Sequence, residues 1–345
     1  MAGGNFELVA LGNPLLDMQI RNGEAMLEKY NLKPNDAVLA DEKQLAIYQD
    51  IVDNYEVTYV AGGAAQNAAR CAQYVLPANS TAYLGCVGKD DLAKQLQAAN
   101  DKEGLKSIYQ FSEDQPTGSC AVVITGHNRS LCTNLGAAEK FSKSHLETEE
   151  AKKAIENAKI FYLGGFFLTH GVESALVLAE EAKKRDVSFT MNLSAPFIPQ
   201  FFTSQVDQVV PYADVIFGNE TEAEAWAQAH NLEFKDLKTI AQAIADYESA
   251  TTKAEKRVVI ITNGSQPTIL AKKGEKQQFV HETPKINPAD IVDTNGAGDA
   301  FAGGVVGALV LGKSIDEAID VGHKLGGMCI GQVGPILKFP KENIL

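Results

Sequence analysis

The segment Ile-Val-Asp-Thr-Asn-Gly-Ala-Gly-Asp-Ala-Phe-Ala-Gly-Gly, residues 291–304, places two near-adjacent glycines at the start of an apolar helix with Asp299 directly behind them. The first amides of a helix lack intrahelical partners and carry the positive end of its dipole. Gly296 and Gly298 therefore let backbone N–H groups approach an anion without a Cβ in the way. A carboxylate aimed at a resting phosphate would be repelled by it. Beside a phosphoryl group in transit it can accept the proton of an attacking hydroxyl, so the segment predicts phosphoryl transfer to an alcohol. The bland alternative is a core helix with Asp299 as a favourable N-terminal charge. A Walker loop is excluded because no lysine sits in this helix start, and a dinucleotide fingerprint because Phe301 stands where a third small residue is needed.

With 345 residues the chain buries about three quarters of its unfolded surface, enough for a large core in one or two domains. Its 31 Lys plus Arg against 44 Asp plus Glu give a net charge of -13, which repels nucleic acid and anionic membranes, so an anionic substrate must be held locally. Cys71, Cys86, Cys120, Cys132 and Cys329 are scattered without a Cys-x-x-Cys pair, the pattern of reduced intracellular thiols. The N-terminus shows neither a basic n-region nor an apolar run. The sequons at Asn128, Asn192, Asn219 and Asn263 fall among the candidate site segments, where glycans would obstruct a cleft. The expectation is a cytoplasmic protein, with the nucleus left open, that contacts neither nucleic acid nor membrane.

From Lys159 onward, β-rich runs at 159–163, 187–193, 213–217 and 256–262 alternate with helical patterns, which predicts βαβ units and a mostly parallel sheet with helices on both faces. Runs at 6–11 and 83–87 join the same sheet. Stretches 17–22, 36–40 and 55–60 read as strands without crossover helices, and 119–125 with 130–133 flank the turn Gly126-His127-Asn128-Arg129 as a hairpin. These form a small, mainly antiparallel β lid. Its segments, about 13–63 and 115–135, are inserted into a large α/β part made of about 1–12, 64–114 and 136–345.

Several side chains fall where such a sheet gathers ligands. Asn219 and Glu222 follow a strand and share a helical face; they can orient water around Mg²⁺ or simply cap their helix. Asp17, after Gly12-Asn13-Pro14, can accept both hydroxyls of a vicinal diol, or bond its own turn. Gly62-Gly63-Ala64-Ala65-Gln66-Asn67 lets a ligand approach the backbone, with Asn67 available to sugar hydroxyls. Arg129, in the hairpin turn, can swing over a cleft. Phe167 can cover a planar base or pack in the core, and Asn263-Gly264 can floor a nucleotide or only make a turn. The six histidines, among them His127 and His323, form no zinc motif.

Gly-Asn-Pro-Leu-Leu-Asp at 12–17, Leu-Lys-Pro-Asn-Asp at 32–36, Gly-Asn-Glu-Thr-Glu-Ala at 218–223 and Asp-Thr-Asn-Gly-Ala-Gly-Asp-Ala-Phe at 293–301 together resemble the motifs of the ribokinase-like carbohydrate and nucleoside kinases. Asn-Arg-Ser-Leu at 128–131, Gly-Phe-Phe-Leu-Thr at 165–169 and Asn-Leu-Ser-Ala-Pro-Phe at 192–197 agree, and the resemblance covers nearly the whole chain. It implies a ribokinase-like, Rossmann-type α/β fold with a lid, and direct in-line transfer from ATP to the 5′-hydroxyl of adenosine, with Mg²⁺ as cofactor, in a monomer. By position it implies Asp299 as general base, the amides of Gly296, Ala297 and Gly298 as anion hole, and Arg129 as the lid arginine. Asp17, Gly63 and Asn67 would hold the ribose, with Asn13, Leu15, Leu39, Ala64, Leu131, Phe167 and Asn295 around the nucleoside. Asn219 and Glu222 would stand near Mg²⁺–ATP, holding the metal through water, and Thr262, Gly264 and His323 near the ATP purine or ribose. Ala37 and Ala64 depart from polar residues, and Thr133 from a smaller one, which leaves the base contacts open. An aspartate of ordinary pKa, about 3.9, would serve, because placement outweighs basicity. A kinase of another nucleoside or sugar, or a non-catalytic nucleoside-binding protein of the same fold, stays open.

Overall fold

The four residues Leu-Val-Ala-Leu at 8–11 are apolar without alternation, the mark of a strand covered on both faces, and all four are buried. In the computed structural model, which describes residues 6–34, 37–126, 128–276 and 278–345, they form β1 (Leu8–Leu11) in the interior of the large sheet. The other strands are β2 (Leu15–Arg21), β3 (Ala37–Leu39), β4 (Thr58–Gly62), β5 (Thr81–Gly88), β6 (Lys106–Ser112), β7 (Ser119–Thr125), β8 (Asn128–Asn134), β9 (Ile160–Gly164), β10 (Ser188–Asn192), β11 (Val215–Asn219), β12 (Val258–Asn263), β13 (Gln266–Lys272) and β14 (Phe279–His281). The large sheet runs β14-β13-β12-β11-β10-β9-β1-β5-β6, and β12 through β6 in that order are parallel. Asp36 and His127, which the sequence reading placed in a lid strand and its hairpin turn, and Asn35 of the Leu-Lys-Pro-Asn-Asp motif lie outside the described residues.

Successive side chains of β1 serve opposite layers. Leu8 and Ala10 pack with Ala65, Ala68, Phe301, Val305 and Leu325 from the helices Ala64–Val75, Ala297–Val310 and Ile315–Ile330. Val9 and Leu11 pack with Ile155, Leu178, Trp226 and Ile240 from helices on the other face. The helix 297–310 carries glycines that cost helix propensity in isolation. Here they permit contact: a Cβ on Gly303 would lie 2.3 Å from the Ala68 carbonyl, and one on Gly304 would lie 2.9 Å from Gly322 Cα. The helix therefore sinks between its two neighbours, which fixes where its first turn stands.

The small sheet runs β3-β8-β7-β2-β4 over its own core of Met18, Ile20, Ile47, Ile51, Ala121 and Val123. Its antiparallel pairings are the hairpin β7–β8 and the pair β2–β4, while β2–β7 and β3–β8 run parallel. The parallel pairs join strands far apart in the chain, where no short turn dictates direction. Strand β8 begins at Asn128, so Arg129 is not a turn residue: it sits within the strand opposite Ile124.

At the amino end of β12, away from the cleft, Arg257 is fully buried. Its guanidinium donates to the main-chain carbonyls of Val210, Ala213, Ile244, Ala245, Tyr247 and Glu248 at 2.7–3.3 Å. Truncation strands those acceptors in the interior. Arg257→Met is expected to lower the unfolding free energy by about 3 kcal/mol or more in urea titration, without altering the chemistry of the molecules that remain folded.

Candidate active site

Strands β9 and β5 flank β1 on opposite sides, so the connections diverge at its carboxyl end, the position where open α/β sheets collect ligands. A cavity of about 1270 Å³ opens there, walled by the large sheet on one side and the small sheet on the other. Asn13, Leu15 and Asp17 reach it from the turn after β1 and from β2, and Gly63, Ala64 and Asn67 from the start of helix 64–75. The small sheet adds Leu39, Arg129 and Leu131. Asn219 and Glu222 border it from the end of β11, Thr262 and Gly264 from the end of β12, and His323 from helix 315–330. Residues 295–299 close the floor.

Asp299 stands in the first turn of helix 297–310, and its Oδ2 accepts a hydrogen bond from Asn67 Nδ2 at 2.9 Å. The surrounding protein desolvates the carboxyl and pushes its pKa up to about 7, against lowering by Asn67 and Arg70, although the side chain keeps partial contact with solvent through the cavity. Burial thus lifts the carboxyl above the ordinary aspartate value expected from the sequence, toward neutrality. Asp17, only 5 % exposed, is likewise raised to about 7 by burial, and Asp299 adds to the rise while Arg70 and Arg129 oppose it. Its carboxylate lies against Gly62, where a Cβ would come within 2.3 Å of Oδ1.

The two glycines of the helix start do different work. Gly296, the N-cap, has φ +76°, and an added Cβ would lie 2.4 Å from that of Pro335. Gly298 has nothing within 4 Å of an added Cβ, so it alone of the pair keeps the wall open to an incoming anion. Of the amides assigned to the anion hole, that of Ala297 donates to the Thr294 carbonyl at 3.3 Å.

The profile of the pfkB carbohydrate kinases matches residues 24–342. Adenosine kinases of Schizophyllum commune and Schizosaccharomyces pombe are 50% and 46% identical to the chain, over 99% and 98% of both partners. Among solved structures, the adenosine kinase of Anopheles gambiae in complex with a di(adenosine-5) tetraphosphate superposes with a TM-score of 0.91 at 42% identity, covering 94% of this chain and 95% of that one. The Schistosoma mansoni adenosine kinase in complex with 2-fluoroadenosine gives 0.93 at 34% identity, covering 97% and 98%. The chain belongs to the pfkB carbohydrate kinase family.

Within this pfkB fold several assignments made from the sequence change. Arg129 is buried and pairs through Nε with Asp293, so it is held rather than swinging over the cleft. Phe167 lines the cavity but is fully buried, its ring edge-on to Phe141 and His170; the partly exposed rings at the wall are Phe166 and Phe197. Asn13 donates to the Phe166 carbonyl and faces His170 Nε2 through its own Oδ1, so both ends of its amide are engaged. Asn219 and Glu222 form a capping box: Asn219 Oδ1 accepts from the Glu222 amide at 2.8 Å, and Glu222 Oε2 accepts from the Asn219 amide at 3.0 Å. Glu222 is nevertheless buried at the cavity, its pKa raised to about 7 by burial. Among the described residues no cluster of three His, Cys, Asp or Glu is built to hold a metal. His323 lies edge-on to Phe301, and its Nε2 is buried without a hydrogen-bond partner among the described residues.

Two buried side chains that support the site escaped the sequence reading. Asp293 accepts from Arg129, from the Asn295 amide at 2.8 Å and from the Gly334 amide at 2.6 Å, tying β8, the loop 293–296 before helix 297–310 (the anion loop) and the C-terminal segment together. It stands in the motif 293–301, at the loop position before the glycines, where an aspartate bonding backbone amides was the available signal. Arg70, buried behind Asn67, had none beyond its position three residues along the same helix.

Gly298→Ala is expected to fold normally and to lose turnover with ATP, because its methyl projects into the space for the anion; a steady-state titration in ATP measures this. For Asp17, Asp299 and Glu222 the native pKa lies above the unfolded value, so the native state binds protons more tightly. Their contribution to stability is complete below about pH 4 and is lost as pH rises through about 7. Asp299→Asn removes one such loss, so without ligands the variant should melt above the parent at about pH 8, with the difference shrinking toward about pH 5.

Proposed function

We propose that this pfkB chain is an adenosine kinase, transferring the γ-phosphoryl group of ATP to the 5′-hydroxyl of adenosine to give AMP and ADP, a purine salvage reaction. The observation that carries this reading is Asp299 in the first turn of helix 297–310, hydrogen-bonded to Asn67 and opening onto a cavity walled by both sheets. The similar chains named above are adenosine kinases, and two of the solved ones hold adenosine compounds. At about 1270 Å³ the cavity exceeds the space one small ligand needs, consistent with a nucleoside and a nucleotide side by side.

The chain's own groups divide the labour. Asp17 faces the ribose from the lid side and Asn67 from helix 64–75, and Asp299 takes the 5′-hydroxyl proton as the oxygen–phosphorus bond forms. The first-turn amides at Gly298 and its neighbours meet the equatorial oxygens as negative charge spreads over them. Leu15, Leu39 and Leu131 exclude water from the acceptor half, which limits ATP hydrolysis. In the cap Asn219 Oδ1 accepts from the Glu222 amide and from Thr221 Oγ1, and Glu222 Oε2 accepts from the Asn219 amide, so the oxygen left over for Mg²⁺ held through water is Oε1 of Glu222. When bound, Mg²⁺ neutralises charge on the β- and γ-phosphates. The lid segments 13–63 and 115–135 move as the part that covers the nucleoside, and the protein works as a cytoplasmic monomer.

Adenosine-dependent ADP formation from Mg²⁺–ATP tests the reading, with guanosine and ribose as rival acceptors; formation that ignores adenosine would end it. Asp299→Asn should retain adenosine binding by calorimetry while turnover falls by roughly 10²-fold or more. For the parent, kcat/KM should rise with pH through about 7 as the carboxyl loses its proton.

A further inference from the structure

We infer that Arg70 is a positioning residue for the phosphoryl-transfer base, acting through Asn67 on Asp299 and holding the anion loop in place from behind. The inference rests on the kinase reading above. Arg70 is 3 % exposed and touches neither the cavity nor any substrate position. Its Nη2 donates to Asn67 Oδ1 at 2.8 Å, to the Ala61 carbonyl at 2.9 Å and to the Pro335 carbonyl at 3.2 Å, and its Nε stands 3.6 Å from Glu103 Oε2.

Each contact has a consequence for the base. A guanidinium has donors only, so the atom of Asn67 turned toward it must be the oxygen. That leaves Nδ2, the donor end, facing Asp299, where the distance is 2.9 Å. Without the arginine the amide can flip and present its oxygen to a carboxylate, which repels it. The Ala61 contact joins the same guanidinium to β4 of the lid. The Pro335 contact holds the ring against which Gly296 is packed, so the N-cap of the anion loop leans on a residue that Arg70 restrains. Glu103, partly exposed at the far end of the chain of contacts, balances the charge. Around Asp299 the other ionisable groups are Asp17 from β2, Glu222 from helix 220–229, Tyr162 from β9, and Cys71 and Cys329. Arg70 is the cation that draws Asp299 toward its ionised form.

The two ends of this chain of contacts should act on the base with opposite sign. Arg70→Met removes the cation and frees the Asn67 amide. Turnover is expected to fall on the order of 10-fold with the adenosine KM changed much less, and the acidic limb of kcat/KM to move up by about half a pH unit or more. Glu103→Gln leaves the cation unbalanced, so its limb should move down. Arg70→Lys restores the charge but not the forked contacts, and should bring the limb back toward the parent while turnover stays reduced. Should Arg70→Met fail to fold, Arg70→Lys and Glu103→Gln carry the test, since Glu103 sits near the surface. Limbs that stay put, or that move the same way in both end variants, overturn the inference; a parent chain without adenosine-dependent ADP formation overturns the kinase reading instead.

Discussion

Asn67 and Asp299 are 232 positions apart in sequence and are joined by one 2.9 Å hydrogen bond. That contact requires two helices to begin at the same place, one leaving the small sheet after β4 and the other leaving the anion loop. Neither helix could arrive there with ordinary side chains between them. The missing Cβ of Gly303 lets helix 297–310 ride on the Ala68 carbonyl, and Gly304 meets Gly322 on the other flank. Close packing of the backbones fixes the first turn, and through it the direction in which Asp299 and the free amides face.

On the proposed reading, receiving the phosphoryl group with amides rather than a lysine follows from the carboxylate beside them. A lysine ammonium within about 4–6 Å would hold Asp299 ionised at low pH and weaken it as a proton acceptor. Backbone dipoles stabilise charge on the transferring group without offering the carboxylate a partner ion. The two arginines are committed elsewhere: Arg129 to Asp293, Arg70 to Asn67, Glu103 and two carbonyls. Burial can therefore raise the carboxyl toward neutrality, in a chain whose net charge of -13 already disfavours further ionisation.

Sequence reading reached the sheet and the floor of the site because both are written in local signals. The strand runs at 6–11, 159–163, 187–193, 213–217 and 256–262 correspond to β1 and β9–β12 within a few residues, since each is apolar and bounded by helical periodicity. Strand β13 was missed although Asn263-Gly264 stands before it; that dipeptide is a hairpin signal, and Gly264 takes φ +54° in the turn. What was not legible depended on partners distant in the chain. Nothing near residue 129 announces that Asp293 will fix its guanidinium, and nothing in Gly-Phe-Phe-Leu-Thr says which phenylalanine faces inward. Both line the cavity, but Phe167, in the tight turn at 165–169, packs its ring edge-on to Phe141 and is fully buried, while Phe166 stays partly exposed.

The paired Arg129 and Asp293 also change how the two sheets are to be regarded. Asp293 is almost fully buried and accepts from three donors, one on β8, one in the anion loop and one in the segment that carries Pro335 against Gly296. A carboxylate so placed cannot surrender its cation without leaving a charge in the interior supported by amides alone, which costs several kcal/mol. The small sheet is thus not a flap attached only by its connecting strands. Arg129 and Asp293 join it to the floor of the site, so displacement of β8 acts directly on the loop before helix 297–310. On the proposed kinase reading, covering the nucleoside and shaping the first turn of helix 297–310 become a single structural event.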